Sequence, residues 1–184
     1  MNYSEEITMV KFQDIIPYMD NVRQQLMNVL DSFGPEEKEL REKPEGWTVT
    51  EVVEHISKLE GMILYQLKNA MLTEFIGPSE PLDEKKTDVM DILKSSGIIG
   101  QKIEAPEQAR PSGTISYEEA IQKLEDMRAA TKAFLPKLTE RNTNELLFPH
   151  PFGFELNANQ WAHFIAIHES THIRQLQRIR EANL

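Results

Sequence analysis

Apolar residues recur at three- and four-residue spacing along four stretches of this chain, and that spacing predicts four long helices. The first runs from about Lys11 to Phe33 on Ile15, Ile16, Met19, Val22, Leu26, Val29 and Leu30. A kink is expected at Pro17, and Gly34-Pro35 stops it. The second opens at Thr48-Val49-Thr50-Glu51, a capping box in which Trp47 and Val52 form a hydrophobic staple. Its apolar face continues through Val53, Ile56, Leu59, Ile63, Leu64, Leu67 and Met71. The third opens the same way at Ser116-Tyr117-Glu118-Glu119 and continues through Ile121, Leu124, Met127 and Leu135 to about Pro136. The fourth opens at Asn157-Ala158-Asn159-Gln160, with Leu156 and Trp161 as its staple, and carries Phe164, Ile165, Leu176 and Ile179.

Runs that alternate apolar and polar residues in strand fashion are scarce, so the expected class is all-α. The expected architecture is one four-helix-bundle domain over residues 1–184. A segment from about Glu74 to Thr114, rich in proline and glycine, interrupts the simplest bundle. It predicts a long crossover loop between the second and third helices, with a short helix near Asp88–Leu93. Such a crossover either walls off a site or merely joins two parallel helices.

Composition narrows the function classes. Apolar residues make up 40% and charged residues 27%, a globular balance with enough material for a core. The formal charge of -10 argues against a reader of phosphate backbones, which needs a basic stripe, and against docking on anionic lipid. The chain has no cysteine, hence no disulfide, thiolate ligand or cysteine nucleophile of its own. Met1 to Glu6 lacks a signal-peptide pattern, and no apolar run approaches the ~20 residues of a membrane helix. A cytoplasmic protein with a small-molecule partner is the expectation.

The chemistry is carried by histidine. With His168 at zero and ~100° per residue, Trp161 and Ile179 fall near +20°, Phe164 near -40° and Ile165 near +60°. His172 falls near +40° and Gln175 near -20° on the same wheel. Two imidazoles therefore stand one turn apart in the middle of the buried stripe. Both need partners in a low-dielectric interior, and one divalent cation satisfies two at once. His163 lies ~140° away and is expected on the solvent face, inert. A third ligand is needed, and His55, at one edge of the apolar stripe of the second helix, is placed to reach the facing helix.

His168-Glu169-Ser170-Thr171-His172 also matches the zinc-peptidase pattern H-E-x-x-H, but the extended form fails. Gln175 stands where its glycine belongs and Arg178 where its third histidine belongs. His150 sits in the turn Phe148-Pro149-His150-Pro151-Phe152-Gly153-Phe154 just before the last helix. It is either ordinary turn chemistry or a contact to the substrate or to a metal ligand. Trp47 and Trp161 read as core packing, and Pro35-Glu36-Glu37-Lys38-Glu39 as a solvated turn. No carboxylate is an obvious general base, although Glu54 (beside His55) and Glu169 are close enough to consider.

Together these pieces resemble the DinB-like (DinB/YfiT) metalloprotein superfamily. The resemblance rests on Gly46-Trp47-Thr48 leading into Val53-Glu54-His55-Ile56, and on Pro149-His150-Pro151-x-Gly153. It continues in Trp161 followed by His168-x-x-x-His172-x-x-Gln175, and in the phrase from Ala105-Pro106 to Pro111-Ser112-Gly113. It implies a four-helix bundle holding one divalent ion, zinc or nickel foremost, on His55, His168 and His172. It also implies a homodimer. Some such relatives are S-transferases or isomerases that use a low-molecular-weight thiol such as bacillithiol or mycothiol, and many others are described as metal-dependent hydrolases. Gln175 matches a family position without an assigned role.

Three neutral nitrogen ligands leave room on a divalent ion for water or a thiol. The sequence thus points to a metal-dependent enzyme, a thiol-dependent S-transferase ahead of a hydrolase. The alternative is a non-catalytic, stress-associated protein that binds metal or a small ligand.

Overall fold

The computed structural model describes residues 11–72, 88–99, 104–140 and 143–184. The long helices are α1 (Ile15–Leu30), α2 (Val49–Met71), α4 (Tyr117–Phe134) and α5 (Ala158–Ala182), and the short α3 (Met90–Ser95) precedes α4. All-α is the right class, with one addition. Strands β1 (Leu147–Pro149) and β2 (Glu155–Asn157) pair antiparallel just before α5, Phe148 opposite Leu156. Three-residue strands are too short to show alternation, so they read in the sequence as a turn. Gly153 closes that hairpin at φ +85°, a left-handed conformation that favours glycine.

Each predicted capping box forms. Thr48 Oγ1 accepts the Glu51 N–H at 3.1 Å, and Glu51 Oε2 accepts the Thr48 N–H at 2.8 Å. Ser116 and Glu119 exchange the same pair of bonds, as do Asn157 and Gln160. These side chains satisfy backbone donors that have no partner within the helix, so they decide where α2, α4 and α5 begin. Pro17, where a kink is expected from the sequence, does not lie in a helix interior. Helix α1 starts only at Ile15, after a 3-10 turn at Phe12–Asp14, which puts Pro17 in its first turn, where no intrahelical N–H bond is lost. Its other end is closed by Lys38, whose Nζ donates to the Leu30 carbonyl at 2.8 Å from the 3-10 turn Pro35–Glu39.

Helix α2 packs on both α4 and α5, and α1 packs on α5. α2 and α4 are close at Gly61, where an added Cβ would stand 3.1 Å from the flexible end of Met127. Helices consecutive in the chain, α1 with α2 and α4 with α5, therefore lie across the bundle from each other rather than side by side. Fully buried Met19, Leu26, Ile56, Leu124, Leu176 and Ile179 fill the space between. No helix among the described residues is long and apolar enough to cross a membrane.

Parts of the Glu74–Thr114 crossover, residues 74–87 and 100–103, lie outside the described residues, as does the Met1–Glu6 start. The described part includes the expected short helix, shifted to Met90–Ser95, with Val89 and Leu93 buried. This segment overturns one expectation. His163 is 1% exposed rather than solvated: its Nδ1 accepts the Val89 N–H at 3.3 Å, and Tyr18 meets its ring edge-on. The helical wheel assumed one buried face for α5, but the crossover covers a second.

Candidate metal centre

Helix α2 delivers His55 to the bundle interior, 3% exposed, and α5 delivers the half-buried His168 and His172 one turn apart. His55 Nε2 stands 3.1 Å from His168 Nε2, which stands 3.0 Å from His172 Nε2. One ligand atom from each of the three lies within 4.8 Å of the others. The predicted ligand trio is therefore brought together from two helices that are far apart in sequence.

The outer nitrogens settle the protonation pattern. His55 Nδ1–H donates to the Ala109 carbonyl at 2.7 Å, and a carbonyl can only accept. His172 Nδ1–H donates to Gln175 Oε1 at 2.7 Å. Both residues thus present bare Nε2 lone pairs to the shared centre, and the single ring proton of His168 can satisfy only one of them. Desolvation, opposed in part by the Ala109 bond, holds the His55 pKa below the ordinary value. Burial and the neighbouring imidazoles push His168 well down, and burial followed by His55 brings His172 to about 3. All three are neutral near pH 7, the ligating form.

This donor set fits a divalent ion. Two nitrogens held at ~2.1 Å from one ion, at ligand angles from ~90° to ~110°, stand ~3.0 to ~3.4 Å apart. Partners on the far nitrogens are the usual means by which ligating histidines are oriented. A cation there would satisfy the lone pairs that the His168 proton leaves without a partner.

The Ala109 carbonyl reaches His55 because the loop around it is tied to α2. Lys58 Nζ donates to the Arg110 carbonyl at 2.8 Å and bridges to Glu54 Oε1 at 2.8 Å. The Ser112 N–H donates to Glu54 Oε2 at 2.9 Å. Burial pushes the Glu54 carboxyl up, but Lys58 and Ser112 together outweigh it, so its pKa lies below the ordinary value. Glu54 is an ionised clamp on the loop.

Glu169 points away from the histidines into the core, fully buried, and accepts Arg23 Nε and Nη2 at 2.8 and 3.0 Å. His150 does not join the trio. It is 5% exposed, stacked on Phe154 with centroids 4.3 Å apart and on Trp161 at 5.2 Å, and Phe164 stands between it and His168. Burial lowers its pKa to about 4.

Sequence reasoning missed the Ala109 carbonyl, since a backbone acceptor has no signature in side-chain letters. It also read Trp47 as packing alone, although its ring lies 4.6 Å from that of His55. The charges Glu60 and Arg128, both buried, and the partly buried Arg23 were missed too, but they had a signal. Arg23, Glu60 and Arg128 each occupy a core-spaced position, four after Met19, Ile56 and Leu124 respectively.

The model of the DinB superfamily matches residues 18–176. The uncharacterized protein YuaE of Bacillus subtilis (strain 168) is 28% identical over 151 residues, 80% of this chain and 87% of that protein. YfiT from Bacillus subtilis, described as a probable metal-dependent hydrolase with an unusual four-helix bundle topology, shares the fold at TM-score 0.61 and 17% identity, covering 98% of this chain and 93% of its own. The four-helix bundle protein TT2238 does so at TM-score 0.59 and 20% identity, covering 90% and 98% respectively. The family match spans His55, His168, His172 and most of the bundle, and the chain belongs to the DinB superfamily.

Proposed function

We propose that this protein is a divalent-metal-dependent enzyme acting on a small molecule, with transfer to a low-molecular-weight thiol ahead of hydrolysis. The observation that carries this reading is the convergence of three neutral imidazoles, two with their tautomer set by Ala109 and Gln175. His55, His168 and His172 would hold one ion per chain, zinc or nickel. When bound, such an ion supplies Lewis acidity that lowers the pKa of a coordinated water or thiol. The chain's own part is to orient the ligands and to wall one side of the site with Trp47.

Thiol transfer is favoured over hydrolysis by what the nearby carboxylates do. Glu54 is engaged by Lys58 and Ser112, and Glu169 by two arginines, so neither suits the task of a general base. A thiol, with an ordinary pKa of ~8.5, needs far less help to ionise than water at ~15.7. The chain has no cysteine, so the nucleophile would arrive with a cosubstrate. The same engagement of both carboxylates supports a second reading, a non-catalytic protein that binds metal or a small ligand. A cytoplasmic homodimer is part of the proposal in either form.

Elemental analysis of the purified protein beside His55→Ala and His172→Ala tests the site. About one ion per chain, lost in both variants, is expected. Turnover of electrophiles with low-molecular-weight thiols, and of esters with water, then separates the readings. Activity abolished by chelation and by His172→Ala supports an enzyme; a metal-loaded protein inert in both screens supports the binding reading.

A further inference from the structure

Four charged side chains meet inside the bundle, one from each long helix. Arg128 of α4 donates from Nε and Nη2 to Glu60 of α2 at 2.9 and 3.1 Å, from Nη2 to Glu169 of α5, and from Nη1 to the Met19 carbonyl at 2.9 Å. Arg23 of α1 grips Glu169 with two bonds, reaches Glu60 at 3.5 Å and donates to the Leu124 carbonyl at 3.1 Å. Glu60, Glu169 and Arg128 are 2%, 0% and 5% exposed. The two positive and two negative charges balance, and each carboxylate is held by both arginines.

A buried network of this kind adds little net stability, because desolvation of the ions offsets their attraction; its best-attested use is to specify register. Its position here is informative. Glu169 follows His168 directly on α5. Glu60 lies five residues beyond His55 on α2, a rise of ~7.5 Å. Glu60 and His168 line the same narrow gap between the two helices. One guanidinium, that of Arg128, therefore cross-links α2 and α5 beside the point where their histidines must meet. Sliding or turning α5 would break charge-assisted bonds that no water replaces in the core.

We infer that the Arg23–Glu60–Arg128–Glu169 ring sets the register of α5 against α2 and so holds His168 and His172 at ligating distance from His55. The four are positioning residues for the metal centre. The inference rests on the three-histidine reading proposed above.

The test uses Arg128→Lys, which keeps the charge but loses the fork that spans both carboxylates, and Glu169→Gln, which keeps the shape but loses the charge. Leu138→Ala, a fully buried site in the 3-10 segment Leu135–Glu140, is the control for general loss of stability. Zinc affinity is read by competition with a chromophoric chelator, and ligand geometry by the visible absorption of the cobalt-loaded protein. With far-UV circular dichroism at the wild-type level, affinity is expected to fall ~10- to 100-fold in both network variants, with shifted cobalt bands. Leu138→Ala is expected to keep wild-type affinity and bands despite a lower Tm. If Arg128→Lys does not fold, Glu169→Gln decides alone. Network variants with wild-type affinity and spectrum, or a control that loses as much, would overturn the inference while leaving the metal site standing. A wild-type protein that takes up neither zinc nor cobalt overturns both.

Discussion

His55 and Ala109, 54 positions apart in the chain, are joined by one 2.7 Å hydrogen bond from the imidazole Nδ1–H to the backbone carbonyl. That bond turns the Nε2 lone pair of His55 toward His168. The loop that carries the carbonyl is itself held to α2 by Glu54 and Lys58. His55 is thus aimed by a segment that its own helix anchors from Glu54 just before it and Lys58 nearly one turn after it.

Glu54→Ala is expected to loosen this loop, leaving the Ser112 N–H and the Lys58 ammonium without their carboxylate. Zinc affinity should fall ~10-fold or more while far-UV circular dichroism stays at the wild-type level. An unchanged affinity in a chelator competition would mean that the Ala109 carbonyl holds its place without the clamp.

Gln175→Leu removes the acceptor from His172 Nδ1–H on the same helix. The ring is then free to turn or to change tautomer, and metal affinity should drop ~10- to 100-fold. Gln175→Glu retains an acceptor and is expected to stay near wild type. Isothermal titration of the metal-free variants distinguishes the two.

Metal removal should lower the Tm, because an ion that binds only the folded state stabilises it by mass action. His172→Ala is expected to abolish the gain on adding zinc or nickel. The protection in wild type should persist through about pH 6 and fade only in stronger acid, because burial holds all three imidazoles below the ordinary ~6.5, His172 at about 3. A wild-type Tm indifferent to either ion would count against histidine ligation.

His150 gives an independent acid response. Burial holds its folded pKa at about 4, below the unfolded value of ~6.5. Between those values the unfolded chain binds the extra proton and the folded chain does not. The stability due to neutral His150 is therefore complete above ~6.5 and is lost as pH falls toward 4. In urea unfolding at pH 7 and pH 4.5, His150→Phe should lose less stability than wild type over that interval. Equal losses would show that His150 takes no part in the acid response.

Thr48→Ala removes the cap that starts α2 just ahead of His55, and it should cost about 1 kcal/mol. Urea unfolding monitored by circular dichroism measures it; a cost near zero would mean that Glu51 and the preceding turn hold the helix start alone.

Much of this protein was legible in its sequence because the relevant physics is local. Capping boxes at Thr48, Ser116 and Asn157 satisfy helix donors with side chains three residues away, so the starts of three helices are written in four-residue phrases. The pairing of His168 with His172 follows from helical periodicity alone, as does their place on the apolar face of α5. These features need no knowledge of what packs where.

Tertiary structure decided the rest, because it depends on contacts between distant segments. His163 is buried since the Asp88–Ile99 segment covers a second face of α5, which one helix's periodicity cannot reveal. Glu54 and Glu169 sit beside His55 and His168 in sequence, yet packing turns one into a loop clamp and the other into a core ion pair. The aim of His55 hangs on a backbone carbonyl that any residue at position 109 would carry. A sequence states which donors and charges a chain owns; only the folded core, where each must find a partner or lose its solvation free energy, assigns those partners.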